Sequence, residues 1–104
     1  MRSVLYIMFA GLALLSANAA ANEETRAFGE YLSAECVTCH QISGEHNGIP
    51  SIVGWEAWAF ETVMKEYRDK TRAHRVMQTI AGALSDDEVR ALALYFGSIE
   101  PKEN

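Results

Sequence analysis

The only two cysteines of this 104-residue chain stand in Cys36-Val37-Thr38-Cys39-His40, three positions apart and followed at once by a histidine. Two thiols at that spacing can add across the two vinyl groups of one porphyrin edge. The next residue is then held under the iron, where an imidazole can ligate from one axial side. C-x-x-C-H is the attachment signature of c-type haem. A dithiol redox pair would be expected beside a βαβ pattern, and a structural zinc site would want four Cys or His ligands in paired motifs. The chain offers neither. The motif therefore implies one covalently bound haem c, with thioethers at Cys36 and Cys39 and His40 as an axial ligand.

The elements that must position this motif read as helices. One is expected from about Glu23 to Glu35, leading directly into the cysteines. A second covers Trp55–Asp69, where Phe60, Val63, Met64 and Tyr67 recur at i, i+3, i+4 and i+7 on one face, and Glu61 and Lys65 could pair on the other. A third opens with Ser85-Asp86-Asp87-Glu88, the pattern of a capping box. Its buried stripe is Val89, Leu92, Phe96 and Ile99, and Gly97 is placed to end it. The stretches 41–54 and 71–83 read as a loop and a linking region, and the tail Glu100–Asn104 as frayed. No segment alternates as a strand, so the fold class is all-α.

The first residues, MRSVLYIMFAGLALLSANAAAN, carry one charge, an apolar run from Val4 to Leu15 and a small-residue end. That is the layout of a secretory signal peptide over residues 1–21, with cleavage expected after Ala19 or Ala21. The run is shorter than the roughly 20 residues of a membrane-spanning helix. No membrane span is expected in the mature protein, a single domain over residues 22–104. Without Arg2 the chain has 8 basic and 14 acidic residues, a net charge of −6. A nucleic-acid binder would show a basic footprint instead. So small a domain usually needs a staple. A disulfide between Cys36 and Cys39 would close too small a loop to serve, whereas haem offers an apolar plate for short helices to pack around.

Four further residues could reach the other face of the iron: Met64, Met77, His46 and His74. Met64 lies in the apolar stripe of the second helix and His46 in a Gly-rich loop. His74 stands between Arg72 and Arg75, and Met77 lies in the short apolar segment VMQTIAGAL. The pattern CVTCH…GIPSIVG…M…LSDDEVRALALYF resembles the single-haem class I cytochromes c over nearly the whole mature chain. The resemblance implies that Met77 is the distal ligand and that the Pro50 carbonyl accepts the second ring N–H of His40. It also implies that Leu92 and Tyr95 belong to the contacts of the last helix. The family often has a Gly where its first helix crosses its last. By spacing from Cys36 that position is Phe28 here, with Gly29 one residue off, so a wider or shifted crossing is expected.

The stretch from Ile49 to Phe96 is similar to the haem domains of flavocytochrome c sulfide dehydrogenases. Lys70-Thr71 replaces a small pair there, and that loop is expected to differ. The resemblance implies a periplasmic monohaem electron carrier that accepts electrons from an FAD-containing flavoprotein subunit and performs no substrate chemistry itself. The alternative is a free cytochrome c serving an oxidase or another redox partner. A haem enzyme or gas sensor would require an open distal position. Residues 68–75 carry a local charge of +3, which could orient a partner, neutralise haem propionates or simply be solvated. Arg72 is the candidate propionate contact.

Overall fold

The computed structural model describes residues 2–102, and the side chains of residues 16–102. Four α-helices follow in order: α1 (Arg2–Leu32), α2 (Ala57–Arg68), α3 (Arg75–Gly82) and α4 (Asp86–Gly97). No strand occurs among the described residues. The first helix does not begin near Glu23: it is continuous from Arg2. No proline interrupts residues 2–32, and Ala, Leu, Met and Glu, all strong helix formers, fill much of that stretch. The helix tightens into a single 3₁₀ turn, Ser33–Glu35, just before the cysteines.

α4 is the centre of the molecule. Ser85 caps it reciprocally: the Glu88 N–H donates to Ser85 Oγ (3.1 Å), and the Ser85 N–H donates to the Glu88 carboxylate (2.9 Å). Val89, Leu92 and Phe96 of the expected stripe are buried, and Ile99 is half-buried just beyond the helix. Phe96 stacks on Phe60 of α2 with ring centres 6.0 Å apart and meets Tyr95 edge-on at 5.2 Å. Phe60 and Met64 supply the buried face of α2, with Val63 and Tyr67 half-buried beside them. No ion pair joins Glu61 to Lys65 among the described residues.

The crossing of α1 over α4 falls on Gly29, not Phe28. A methyl group on Gly29 would lie 1.9 Å from the Ala91 carbonyl oxygen and 2.9 Å from Tyr95 Cβ. Phe28 is 44% exposed. The expected crossing is therefore shifted by one residue and is not widened.

Two regions read as irregular are ordered differently. Residues 75–82, expected as part of a linking region, form α3, an eight-residue helix capped by His74 in place of the usual Ser, Thr, Asp or Asn. The tail does not fray at Pro101: that ring packs on Gly44 and Gly54, and the Lys102 N–H donates to Ser43 O (3.0 Å). Glu103 and Asn104 lie outside the described residues.

α2 ends in a Schellman motif, with Thr71 N–H donating to Glu66 O (3.0 Å) and Lys70 N–H to Tyr67 O (3.1 Å). The residue at the turn is Lys70, with φ +63°. This left-handed position is one that glycine occupies without steric penalty. Arg68 then ties the end of α2 to the next two helices: its guanidinium donates to Leu84 O (2.9 Å) and Ala81 O (3.4 Å) and pairs with Asp86.

Two stability outcomes follow. Gly29→Ala must push α1 away from backbone atoms of α4 and should cost about 2–3 kcal/mol, measured by thermal or denaturant unfolding of the haem-loaded protein. Lys70→Gly should raise stability by about 0.5–1 kcal/mol, seen as a Tm a few degrees higher.

Candidate cofactor site

The 3₁₀ turn at Ser33–Glu35 feeds the motif into a further helical turn. The Cys39 N–H donates to Cys36 O (3.1 Å), as does the His40 N–H (2.8 Å). Thr38 Oγ1 reinforces the turn by donating to Glu35 O (2.7 Å). Residues spaced i, i+3 and i+4 in a helical turn share one side. Cys36, Cys39 and His40 are thereby presented together.

The His40 ring is held from the loop. Nδ1–H donates to the Pro50 carbonyl oxygen at 2.6 Å. Because that oxygen can only accept, the bond fixes the proton on Nδ1 and leaves the Nε2 lone pair for a metal. The expected Pro50 contact is thus present. The backbone of this loop turns sharply at Gly44, Gly48 and Gly54, all at positive φ.

Both cysteines are free, Cys36 half-buried and Cys39 exposed. Burial, with a smaller contribution from the Glu35 charge, pushes the Cys36 thiol up to about 11. A thiol held protonated in this way is a poor nucleophile by itself. Among the described residues no group of three or more His, Cys, Asp or Glu stands together as a metal site.

The donor set fits haem. Two free thiols and an oriented imidazole lie on one turn, and large apolar side chains stay uncovered in the segments around them. Val37, Ile42 and Ile49 flank the motif and Pro50, and Val76 adjoins Met77, each at least 36% exposed. Phe28 and Tyr31 on α1 and Trp58 on α2 are exposed as well; those next to the motif offer apolar surface that a haem would cover.

The other sequence candidates separate cleanly. Met64 is buried in the protein core at 6% exposure, and His46 is exposed in the loop. Met77 is half-buried on α3 against the edge of the core. His74 is committed to α3, where its Nδ1 accepts from the Met77 N–H (3.3 Å). Arg72 binds the Glu66 carboxylate through Nε (3.2 Å) and Nη2 (3.0 Å) and lies over the Tyr67 ring. With Arg68 on Asp86 and Arg72 on Glu66, much of the +3 charge read from residues 68–75 is offset by acids outside the segment. Among the described residues, Lys70 and Arg75 are its basic side chains without an ion-pair partner. Sequence reasoning missed the bridging role of Arg68 and the cap at His74. The first has no local signal, because its partners lie 13–18 residues on.

Residues 27–100 match the family model "Cytochrome c". The chain is 31% identical over 90 residues to the cytochrome subunit of sulfide dehydrogenase from Chlorobaculum tepidum, covering 86% of this chain and 82% of that protein. It is 38% identical over 74 residues to the thiosulfate dehydrogenase electron acceptor of Stutzerimonas stutzeri, covering 66% of this chain but 34% of that longer protein. Over 79 residues it is 33% identical to cytochrome c-554(548) of Halomonas halodenitrificans, covering 71% of this chain and 95% of that one. A helical fold, a C-x-x-C-H turn with its histidine oriented by a proline carbonyl and a family match spanning most of the chain agree: this protein belongs to the cytochrome c family and carries covalently bound haem c.

Proposed function

We propose that this monohaem electron carrier is exported to the bacterial periplasm and serves there as the haem subunit of a sulfide dehydrogenase, accepting electrons from an FAD-containing flavoprotein. Export is supported by the signal-peptide layout of residues 1–21. No helix among the described residues is long and apolar enough to cross a membrane. The observation that carries the partner assignment is the similarity to the sulfide dehydrogenase cytochrome subunit across most of both chains. The similarity to the Halomonas cytochrome, which spans nearly all of that protein, favours a second reading as a free diffusing carrier.

The haem supplies a one-electron ferrous/ferric couple; everything else is the work of the chain. Cys36 and Cys39 anchor it, and His40, with Nδ1 donating to Pro50, presents Nε2 to the iron. Met77 is the distal ligand. The place of Met64 among the side chains buried around Phe60 and Phe96 supports Met77 over Met64 in that role. A neutral thioether opposite an imidazole raises the potential relative to two imidazoles. Held by both His40 and Met77, the haem would have no free ligand position for oxygen or peroxide, which would suit electron transfer rather than catalysis. Arg72 is the propionate contact in this reading: Nε and Nη2 bind Glu66, and no partner of Nη1 is found among the described residues.

The ligand assignment separates two methionines. Met77→Ala should let the ferrous protein bind carbon monoxide stoichiometrically, whereas the wild type stays closed. Met64→Ala should leave the iron closed and cost about 2–5 kcal/mol of stability. Stoichiometric carbon monoxide binding by the wild type would refute the six-coordinate site. For the partner, the protein isolated from its native periplasm should co-migrate with a flavoprotein, and added sulfide should reduce its haem. A lone cytochrome reduced only by general donors would instead support the free carrier.

A further inference from the structure

We infer that His74 is a positioning residue for Met77, holding the backbone of the ligand residue in place by capping the short helix that carries it. The inference rests on Met77 being the distal ligand. α3 has eight residues, and a helix that short is marginal unless its ends are tied. Methionine has three rotatable bonds, so the placement of its sulfur depends on where the backbone is held.

His74 occupies the N-cap of α3 in extended backbone, φ −173° and ψ 108°, and its Nδ1 accepts from the N–H of Met77 itself, the third residue of the helix. The cap bond therefore ends on the ligand residue. The ring is in turn set by α2: it meets Tyr67 edge-on, ring centres 6.5 Å apart and 77° between planes. Gln78 adds a strap by donating from Nε2 to Arg72 O (3.0 Å). At the far end Arg68, adjacent to Tyr67, donates to Ala81 O and Leu84 O. The last turn of α2 thus grips α3 at both ends, through Tyr67 and His74 at the start and through Arg68 at the finish. His74 is exposed, so its loss leaves no cavity.

The test uses the haem-loaded protein and the variants His74→Ala, His74→Asn and Met77→Ala. The readouts are the rate at which the ferric iron captures added imidazole, the midpoint potential, and Tm. His74→Ala should capture imidazole on the order of fivefold faster and show a lower potential, since removing an N-cap acceptor shifts local equilibria by about that factor. His74→Asn, which restores a side-chain acceptor at the N-cap, should return capture and potential to wild-type values. Capture and potential unchanged in His74→Ala, while Met77→Ala captures rapidly, would overturn the positioning role and leave the ligand assignment standing. Failure of His74→Asn to rescue would overturn capping as its basis. Capture unchanged in Met77→Ala would remove the ligand assignment and the inference with it.

Discussion

α1 and α4 approach so closely that only a residue without a side chain fits between them. Gly29 faces the Ala91 carbonyl where any Cβ would collide, and the geometry of the site descends from that contact. The crossing fixes the last turn of α1 against the most buried helix of the molecule. Ser33, buried a few residues on, bonds back to Glu30 O (2.6 Å). The motif turn starts from there, so the direction in which Cys36, Cys39 and His40 project is inherited from a helix crossing rather than from the loop that follows. Ala91, fully buried and with its carbonyl against Gly29, keeps α4 slim enough there for the approach.

The opposite side of the molecule is held by polar contacts. α2 packs on α4 through Phe60 and Met64, but it controls α3 through the groups at its own C-terminus. Arg68 satisfies carbonyls at the end of α3 and in the turn beyond it, groups that a helix terminus otherwise leaves without partners. Its carboxylate partner Asp86 is almost fully exposed, and an exposed ion pair contributes little. The carbonyl bonds are therefore the stronger reason for the residue. Lys70, at positive φ, turns the chain between the two helices and accepts backbone strain that a glycine would avoid.

A domain this small has a thin protein core. The buried residues come mainly from α4, with two large side chains from α2 and Val53 from the loop. Of the apolar side chains left exposed, Val37, Ile42, Ile49 and Val76 lie in the segments next to the cysteines, Pro50 and Met77, while Phe28, Tyr31 and Trp58 lie on α1 and α2. A haem attached at Cys36 and Cys39 would cover apolar surface next to the motif, adding to a thin core as well as supplying the redox couple.

Local rules made a good part of this legible from the sequence. The C-x-x-C-H motif declares its chemistry through residue type and spacing, Ser85 and Glu88 declare a helix start, and the 3.6-residue recurrence through Phe60, Met64 and Tyr67 declares a buried face. Pro50 was reached through family resemblance, and the 2.6 Å bond to His40 is where the tertiary structure agrees. Other features had no local signature. α3 carries no standard start signal, because its N-cap is a histidine whose ring is oriented by Tyr67. The tail is ordered because Pro101 meets two loop glycines more than 45 residues earlier in the chain. The crossing at Gly29 rather than Phe28 depends on the rotation of α1 about its axis, which is settled only when α4 packs against it. Sequence determines what each turn of backbone prefers and which side chains can do chemistry; tertiary structure decides which surfaces meet, because close packing rewards only the arrangement in which backbone and side-chain volumes fit together.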